Sequence, residues 1–301
     1  MQFGVALPTF PAGATIEGFT RVAQAAERLG FNSVWTTDHV IMPPEQAGPY
    51  SEIFEALLTL AYLAPLTSTV KLGISVIVVP QRNVVVLAKE LATLDQLCQG
   101  RLLAGVGAGW CEAEFDMLGA GDRFRVRGEY LDETLRLWQH LWTEPETPYK
   151  SKYFDLPAVA FGPLPAQAGG PPIWVGGPSE GARRRAGRFG DVWHPVGMSA
   201  RDLEEKATLV RESAAAAGRP EPEIAPRLPI QFGEATVALS ANPMMTISGS
   251  SADVAESLAP YAELGVSEIV CGFNSPDGDV VVERMEQFAA EVMPELRGKR
   301  E

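Results

Sequence analysis

Two hydrophobic periods alternate along this chain. Short apolar runs rich in Val, Ile and Trp are followed by stretches in which apolar residues recur every three or four positions. The runs 2–7, 33–36, 70–79, 101–106, 173–175, 191–194, 224–237 and 268–272 read as strands. Helical spacing falls at 16–29, 53–64, 84–97, 112–118, 126–142, through Arg185, and at 202–217, 251–264 and 280–293. Gly30, Pro65 and Pro80 stop elements at their ends, as a C-terminal glycine and helix- or strand-breaking prolines do. Eight strands with intervening helices predict an α/β fold, a single (β/α)8 barrel over 1–301, rather than an open doubly wound sheet. Two stretches lack periodicity: 144–170 before the fifth strand, with a small hairpin expected near Tyr153-Phe154, and 238–249 after the seventh. Both are expected to be barrel-top loops that carry function, alongside the proline-rich loop 42–51.

Composition narrows the function classes. Hydrophobic residues at 46% suffice for a full core. A net charge of −13 argues against nonspecific nucleic-acid binding, which needs clustered Lys and Arg. The three cysteines, Cys98, Cys111 and Cys271, are dispersed and form no C-x-x-C pair, so no zinc signature or other metal site is expected. No run approaches the roughly 20 apolar residues of a membrane span. The expected location is the cytoplasm, with no membrane partner.

Candidate chemistry gathers at strand ends, where barrels place their active sites. Asp38 and His39 follow the second strand, and an imidazole beside a carboxylate can shuttle a proton near neutral pH. The same pair would serve equally well as a satisfied loop contact. Ser75-Val76 interrupts an otherwise β-branched third strand with a small polar residue. Gly105-Val106-Gly107-Ala108-Gly109 allows close backbone approach to a planar ring or a phosphate, and a tight turn would use the same residues. Gly176-Gly177-Pro178-Ser179 leads into a helix N-terminus, which favours an anion; Ser179 either donates to it or caps the helix. Arg183-Arg184-Arg185 in the next turn is a possible electrostatic supplement. Arg127 suits a phosphate or carboxylate, or an internal ion pair. His194 ends the sixth strand. No G-x-S-x-G, H-E-x-x-H or P-loop is present.

These pieces together resemble the luciferase-like flavin and deazaflavin oxidoreductases over nearly the whole chain. The resemblance rests on Pro8, Trp35-x-x-Asp38-His39, the 75–83 block, Ala88-Lys89-Glu90-Leu91-Ala92-Thr93-Leu94-Asp95, Gly100-Arg101-Leu102, the 105–110 loop and Gly190-Asp191-x-Trp193. The nearest branch is the coenzyme F420 (deazaflavin)-dependent oxidoreductases. The resemblance implies a ring at the barrel mouth against a non-prolyl cis peptide at Ser75-Val76. It implies a phosphate tail toward Gly107, Ala108, Gly109 and Gly176, Gly177, Ser179, with His194 alongside. His39 and Asp38 would be catalytic, and Trp110 and Arg127 would meet substrate or phosphate.

The implied activity is hydride transfer to or from a small organic substrate with coenzyme F420. The alternatives are FMN-dependent monooxygenation with reduced flavin and oxygen, or a noncatalytic flavin-binding partner protein. A homodimer and a flavin or deazaflavin reductase are the implied partners. Sugar-phosphate-oxidising members have a Glu where Trp110 stands, and an indole cannot act as a general acid, so that activity is not expected.

Overall fold

In the computed structural model, residues 1–10, 13–233 and 245–297 are described. Eight parallel strands form a closed ring: β1 (Gln2–Ala6), β2 (Ser33–Thr36), β3 (Lys71–Ile74, continued by Ile77–Val78), β4 (Leu102–Gly107), β5 (Ile173–Gly176), β6 (Val192–His194), β7 (Glu223–Ile224, continued by Arg227–Phe232) and β8 (Glu268–Gly272). Neighbours pair in that order, and β8 pairs with β1 through Gln2↔Glu268 to Val5↔Cys271. The two pieces of β7 make the closure. Its first piece pairs with β6 and its second with β8, and Val196↔Arg227 carries β6 across the gap.

Helices alternate with the strands: α1 (Ile16–Arg28), α2 (Ala56–Leu63), α3 (Val84–Leu97), α4 (Arg127–Thr143), α5 (Glu180–Phe189), α6 (Ala200–Ala216), α7 (Ser251–Glu263) and α8 (Gly278–Gln287). Several start where a side chain satisfies first-turn N–H groups. Asn83 accepts from Val85 and Val86, and Ser250 and Asp253 form a reciprocal capping box. The predicted last helix, 280–293, starts earlier, because Asp277 caps it at Gly278.

The predicted third strand, 70–79, is broken after Ile74, and the Ser75-Val76 peptide is cis. Loop 42–51 holds a short helix, Pro44–Ala47, and a turn, Gly48–Tyr50. Of the irregular stretch 238–249, residues 238–244 lie outside the described residues; Ile247–Gly249 pairs with β7.

Stretch 144–170 begins and ends on the face opposite the mouth, although its middle climbs beside α4 to Glu129 and Tyr130 in that helix's first turn. It follows a helix and precedes a strand, and such connections lie on the face opposite the active site. Gln167 donates its backbone N–H and its amide to the buried carboxylate of Asp95, both at 2.8 Å, and Gln96 donates to Leu164 O. The predicted hairpin is present as Tyr149–Lys150 against Asp155–Leu156, with Tyr153 and Phe154 packed on Tyr130 of α4.

The period of two along each strand sorts its side chains. One set, including Phe3, Val5, Val34, Leu72, Ile74, Leu102, Val175, Leu228 and Ile269, belongs to the large core beneath the helices. The other fills the ring: Ala6, Trp35, Leu103, Trp174, Val192, Ala225 and Val270 form its middle layer. Trp35 takes the space that Gly73 leaves, since a Cβ on Gly73 would lie 2.3 Å from the indole. Two residues further toward the strand ends, the same parity points Thr37, Ser75, Gly105, Gly176, His194 and Arg227 inward.

A Cβ on Gly105 would sit 1.7 Å from Ile74 O and 3.3 Å from the Val76 side chain. The obstacle is backbone, which cannot rotate away. Gly105→Ala is therefore expected to cost about 3 kcal/mol, the upper end for overpacking. Urea unfolding at neutral pH measures it, and a loss below about 0.5 kcal/mol would contradict this packing.

Candidate active site

His39 and Asp38 diverge although they are adjacent. Asp38 turns beneath the loop, where its side chain is fully buried. Its Oδ2 accepts from Val78 N at 2.8 Å, and its Oδ1 takes Arg82 Nη2 at 2.6 Å. Burial pushes this carboxyl up, against the pull of Arg82 and of the Val78 N–H. Asp38 is thus a tie between the ends of β2 and β3, and it does not touch His39.

The partner of His39 is Glu114, from the short helix Glu112–Met117 that follows β4. Its Oε2 lies 3.0 Å from His39 Nδ1, and its Oε1 accepts from Val40 N at 2.8 Å. Burial alone would raise the Glu114 carboxyl, but hydrogen bonds from His39 and Val40 hold it below the usual carboxylate range. A carboxylate at Nδ1 selects the tautomer with the proton there and leaves Nε2 as the exchanging atom. Tyr50 packs against the imidazole at 4.5 Å between centroids, and Trp110 meets it edge-on at 5.8 Å. Trp110 is 57% exposed and forms the rim rather than a binding wall.

At the end of the neighbouring strand lies Ser75. Its hydroxyl is 2.8 Å from His194 Nε2, while His194 Nδ1 donates to Ala225 O. His194 is completely buried between Trp35 and Trp174. It supports Ser75 from below and stands too deep for the cofactor contact expected of it. Burial lowers its pKa to about 4, so the ring is neutral at physiological pH.

The glycines also divide by role. A Cβ on Gly107 or Gly176 would strike the Val76 side chain, at 2.6 and 2.8 Å. These two leave room for Val76, which forms a shelf. Gly109 turns instead toward Val78 and Phe115, where a Cβ would collide at 2.6 and 2.8 Å, and Ala108 packs on the outer core. Arg127 holds this loop: it donates Nε to Gly109 O and Nη1 to Phe124 O, and stacks on Phe124. Its guanidinium is engaged internally rather than toward phosphate.

Gly177 has φ +105, a conformation that glycine adopts without strain, and its carbonyl takes the Trp193 indole N–H at 3.0 Å. Ser179 caps α5 by accepting from Ala182 N. Of the three consecutive arginines in α5, Arg184 pairs with Glu180, and Arg185 is buried against Asp132. Arg183 keeps a buried Nε with no hydrogen-bond partner among the described residues.

A family model described as luciferase-like monooxygenase matches residues 1–239. The chain belongs to this family. An F420-dependent glucose-6-phosphate dehydrogenase of Kineococcus radiotolerans is 33% identical over 205 residues, covering 67% of this chain and 59% of that protein. Among solved structures, an F420-dependent secondary alcohol dehydrogenase with an F420-acetone adduct superposes with a TM-score of 0.83 at 20% identity, over 98% of this chain and 99% of that one. The FMN-bound oxygenating constituent of 3,6-diketocamphane monooxygenase of Pseudomonas putida superposes with a TM-score of 0.79 at 17% identity, over 98% of each chain. At these identities the superpositions establish the luciferase-like barrel. The relatives make the chain an oxidoreductase of luciferase-like type. Among the described residues, no helix is long and apolar enough to cross a membrane.

Three site residues escaped the sequence reading. Glu114 is 75 positions from His39 and sits on a helix whose orientation no pattern encodes. Tyr50 lies in a loop. Arg227 carried a usable signal, a charged residue in phase with the inward Ala225 of β7.

His194 also predicts an acid sensitivity. Its folded-state pKa of about 4 lies below its ordinary 6.5, so in that window the unfolded chain takes up the proton first. Its contribution is complete above pH 6.5 and is lost as pH falls toward 4, with about 2 kcal/mol gone by pH 5. Urea unfolding of wild type and His194→Asn at pH 7.5 and 5 should differ in pH dependence by that amount, and parallel behaviour would contradict the assignment.

Proposed function

We propose that this luciferase-like oxidoreductase works with coenzyme F420 on a small organic substrate, with His39 as the proton donor or acceptor. The observation that carries the reading is the His39–Glu114 pair at the barrel mouth, at the end of β2, beside the Ser75-Val76 shelf at the end of the neighbouring β3. The branch relatives favour the deazaflavin over FMN. When bound, a deazaflavin supplies two-electron hydride chemistry, and the protein supplies position, charge and proton.

The residues fit such a group. The inward positions of β4 and β5 above the middle layer are glycines, so Val76 is exposed to a flat ring with no side chain from Gly107 or Gly176 in the way. The start of α5 carries Arg183, a cation without a partner among the described residues, suited to a phosphate. Gly177 and the first turn of α5 would hold that end, and Ser75 and Val76 the ring.

His39 then acts through Nε2. Glu114 fixes its tautomer, stabilises the imidazolium when it forms, and is itself held by Val40 N and Ile41 N. Tyr50 and Trp110 limit water access to the ring. An exposed indole in place of a carboxylate at 110 turns the proposal away from sugar-phosphate oxidation and toward a ketone, alcohol or enone.

Fluorescence titration of the cofactor-free protein with coenzyme F420 and with FMN tests the reading. Selective tight binding of F420 is expected. Selective binding of FMN would move the protein to the monooxygenase class, and binding of neither would remove the site. His39→Ala should lower turnover of a ketone or enone found by panel screening by about 10²–10⁴-fold, with cofactor affinity and circular dichroism unchanged. Glu114→Gln should lower it less. Wild-type rates in His39→Ala would take His39 out of the mechanism.

A further inference from the structure

Arg227 is the one charged side chain that the inner face of the ring directs into the mouth from β7. Its Nη1 donates to Thr37 Oγ1 at 2.9 Å and lies 3.5 Å from both the carbonyl oxygen and the hydroxyl of Ser75. Apart from Arg183 at the start of α5, which also lacks a partner among the described residues, several half-buried or buried arginines have strong partners. Arg82 has Asp38 and Glu55, Arg185 has Asp132, and Arg101 donates to Cys98 O, Val70 O, Ala64 O, Thr67 O and Thr67 Oγ1. Arg227 has no carboxylate within ion-pair distance among the described residues, and only neutral oxygens touch it. The side chain is half-buried, and only its Nη1 makes hydrogen bonds among these residues, leaving Nε and Nη2 without a partner there.

Among the described residues, none supplies a counter-charge. The Ser75 hydroxyl is shared with His194, which is neutral, and Asp38 faces away into its pair with Arg82. Burial lowers the guanidinium pKa, and the group that favours its charged form is the Tyr50 phenol. A desolvated cation of this kind is stable when an anion shares its site. The guanidinium fork matches a two-oxygen or oxygen–nitrogen anion.

We propose that Arg227 is the oxyanion-binding group of the barrel mouth, receiving a delocalised anion such as a carboxylate, an enolate or an anionic ring amide. The anion belongs either to the substrate or to the reduced cofactor. The proposal rests on the mouth being the reaction site described above, and it adds a charge requirement that this reading lacks.

Two variants test it: Arg227→Met, which removes the charge, and Arg227→Lys, which keeps the charge and loses the fork. The first arm measures dissociation constants of oxidised and reduced F420 and FMN under anaerobic conditions. The second measures benzoate against neutral benzamide by calorimetry on the cofactor-loaded and cofactor-free protein at constant ionic strength. A wild-type preference of about tenfold or more for the reduced, anionic cofactor, lost in Arg227→Met, assigns the anion to the cofactor. A similar preference for benzoate, lost in the same variant, assigns it to the substrate. Absence of both preferences in the folded wild type overturns the proposal, as does their persistence in a folded Arg227→Met. If Arg227→Met does not fold, the wild-type preferences and their reduction in Arg227→Lys decide. Tight cofactor binding without anion preference defeats the Arg227 assignment alone, whereas benzoate preference without cofactor binding defeats the functional reading alone.

Discussion

Room for one valine side chain shapes the upper barrel. Val76 reaches into space that Gly105, Gly107 and Gly176 leave open, and a methyl group on any of them would meet Val76 or the Ile74 carbonyl. Interiors packed to crystal-like density do not absorb such a collision. The glycines therefore let β3, β4 and β5 approach closely while β3 is interrupted between Ile74 and Ile77. Val76 is thereby raised as a shelf. Beneath it, His194 fills the gap between Trp35 and Trp174 and holds the Ser75 hydroxyl. The shelf thus has a rigid floor and no side chains above it from the two neighbouring glycines.

Charge around this shelf is partitioned by burial. Asp38 and Arg82 neutralise each other behind the loop, so neither contributes a net field at the mouth. Glu114 is bound on both oxygens, to His39 and to the two N–H groups that follow it. His194 is neutral because nothing near it repays the loss of water. Among the described residues, what remains facing the opening is one imidazole nitrogen with a defined tautomer and one guanidinium with neutral neighbours. A site with both a proton carrier and a fixed positive charge suits reactions in which negative charge develops on an oxygen.

The fold was legible in the sequence because the period-two and period-3.6 patterns seldom compete here. Strands such as 33–36 and 268–272 and the helix 84–97 appear with their predicted limits. The site was legible where it depends on strand ends: His39, Ser75, Val76 and Gly176 all reach the mouth or its shelf. It was illegible where it depends on orientation. Adjacent residues leaving a strand point opposite ways, which is why Asp38 and His39 part. The carboxylate that serves His39 comes from a different βα unit. Arg127 looked like an anion ligand because a guanidinium suits phosphate and backbone carbonyls alike, and only its distance to Gly109 O separates the two. Stretch 144–170 was only partly placed: its position after α4 puts both its ends on the face opposite the mouth, while its hairpin returns to the first turn of α4.

The six tryptophans of the chain are unequally distributed. Trp35, Trp138, Trp142, Trp174 and Trp193 are buried, and Trp110 alone stands in solvent, edge-on to His39. Its emission should therefore lie to the red of the others and be the component open to quenching by iodide or acrylamide. The protein carries an intrinsic optical probe at the rim of its barrel, reporting on what enters without any label.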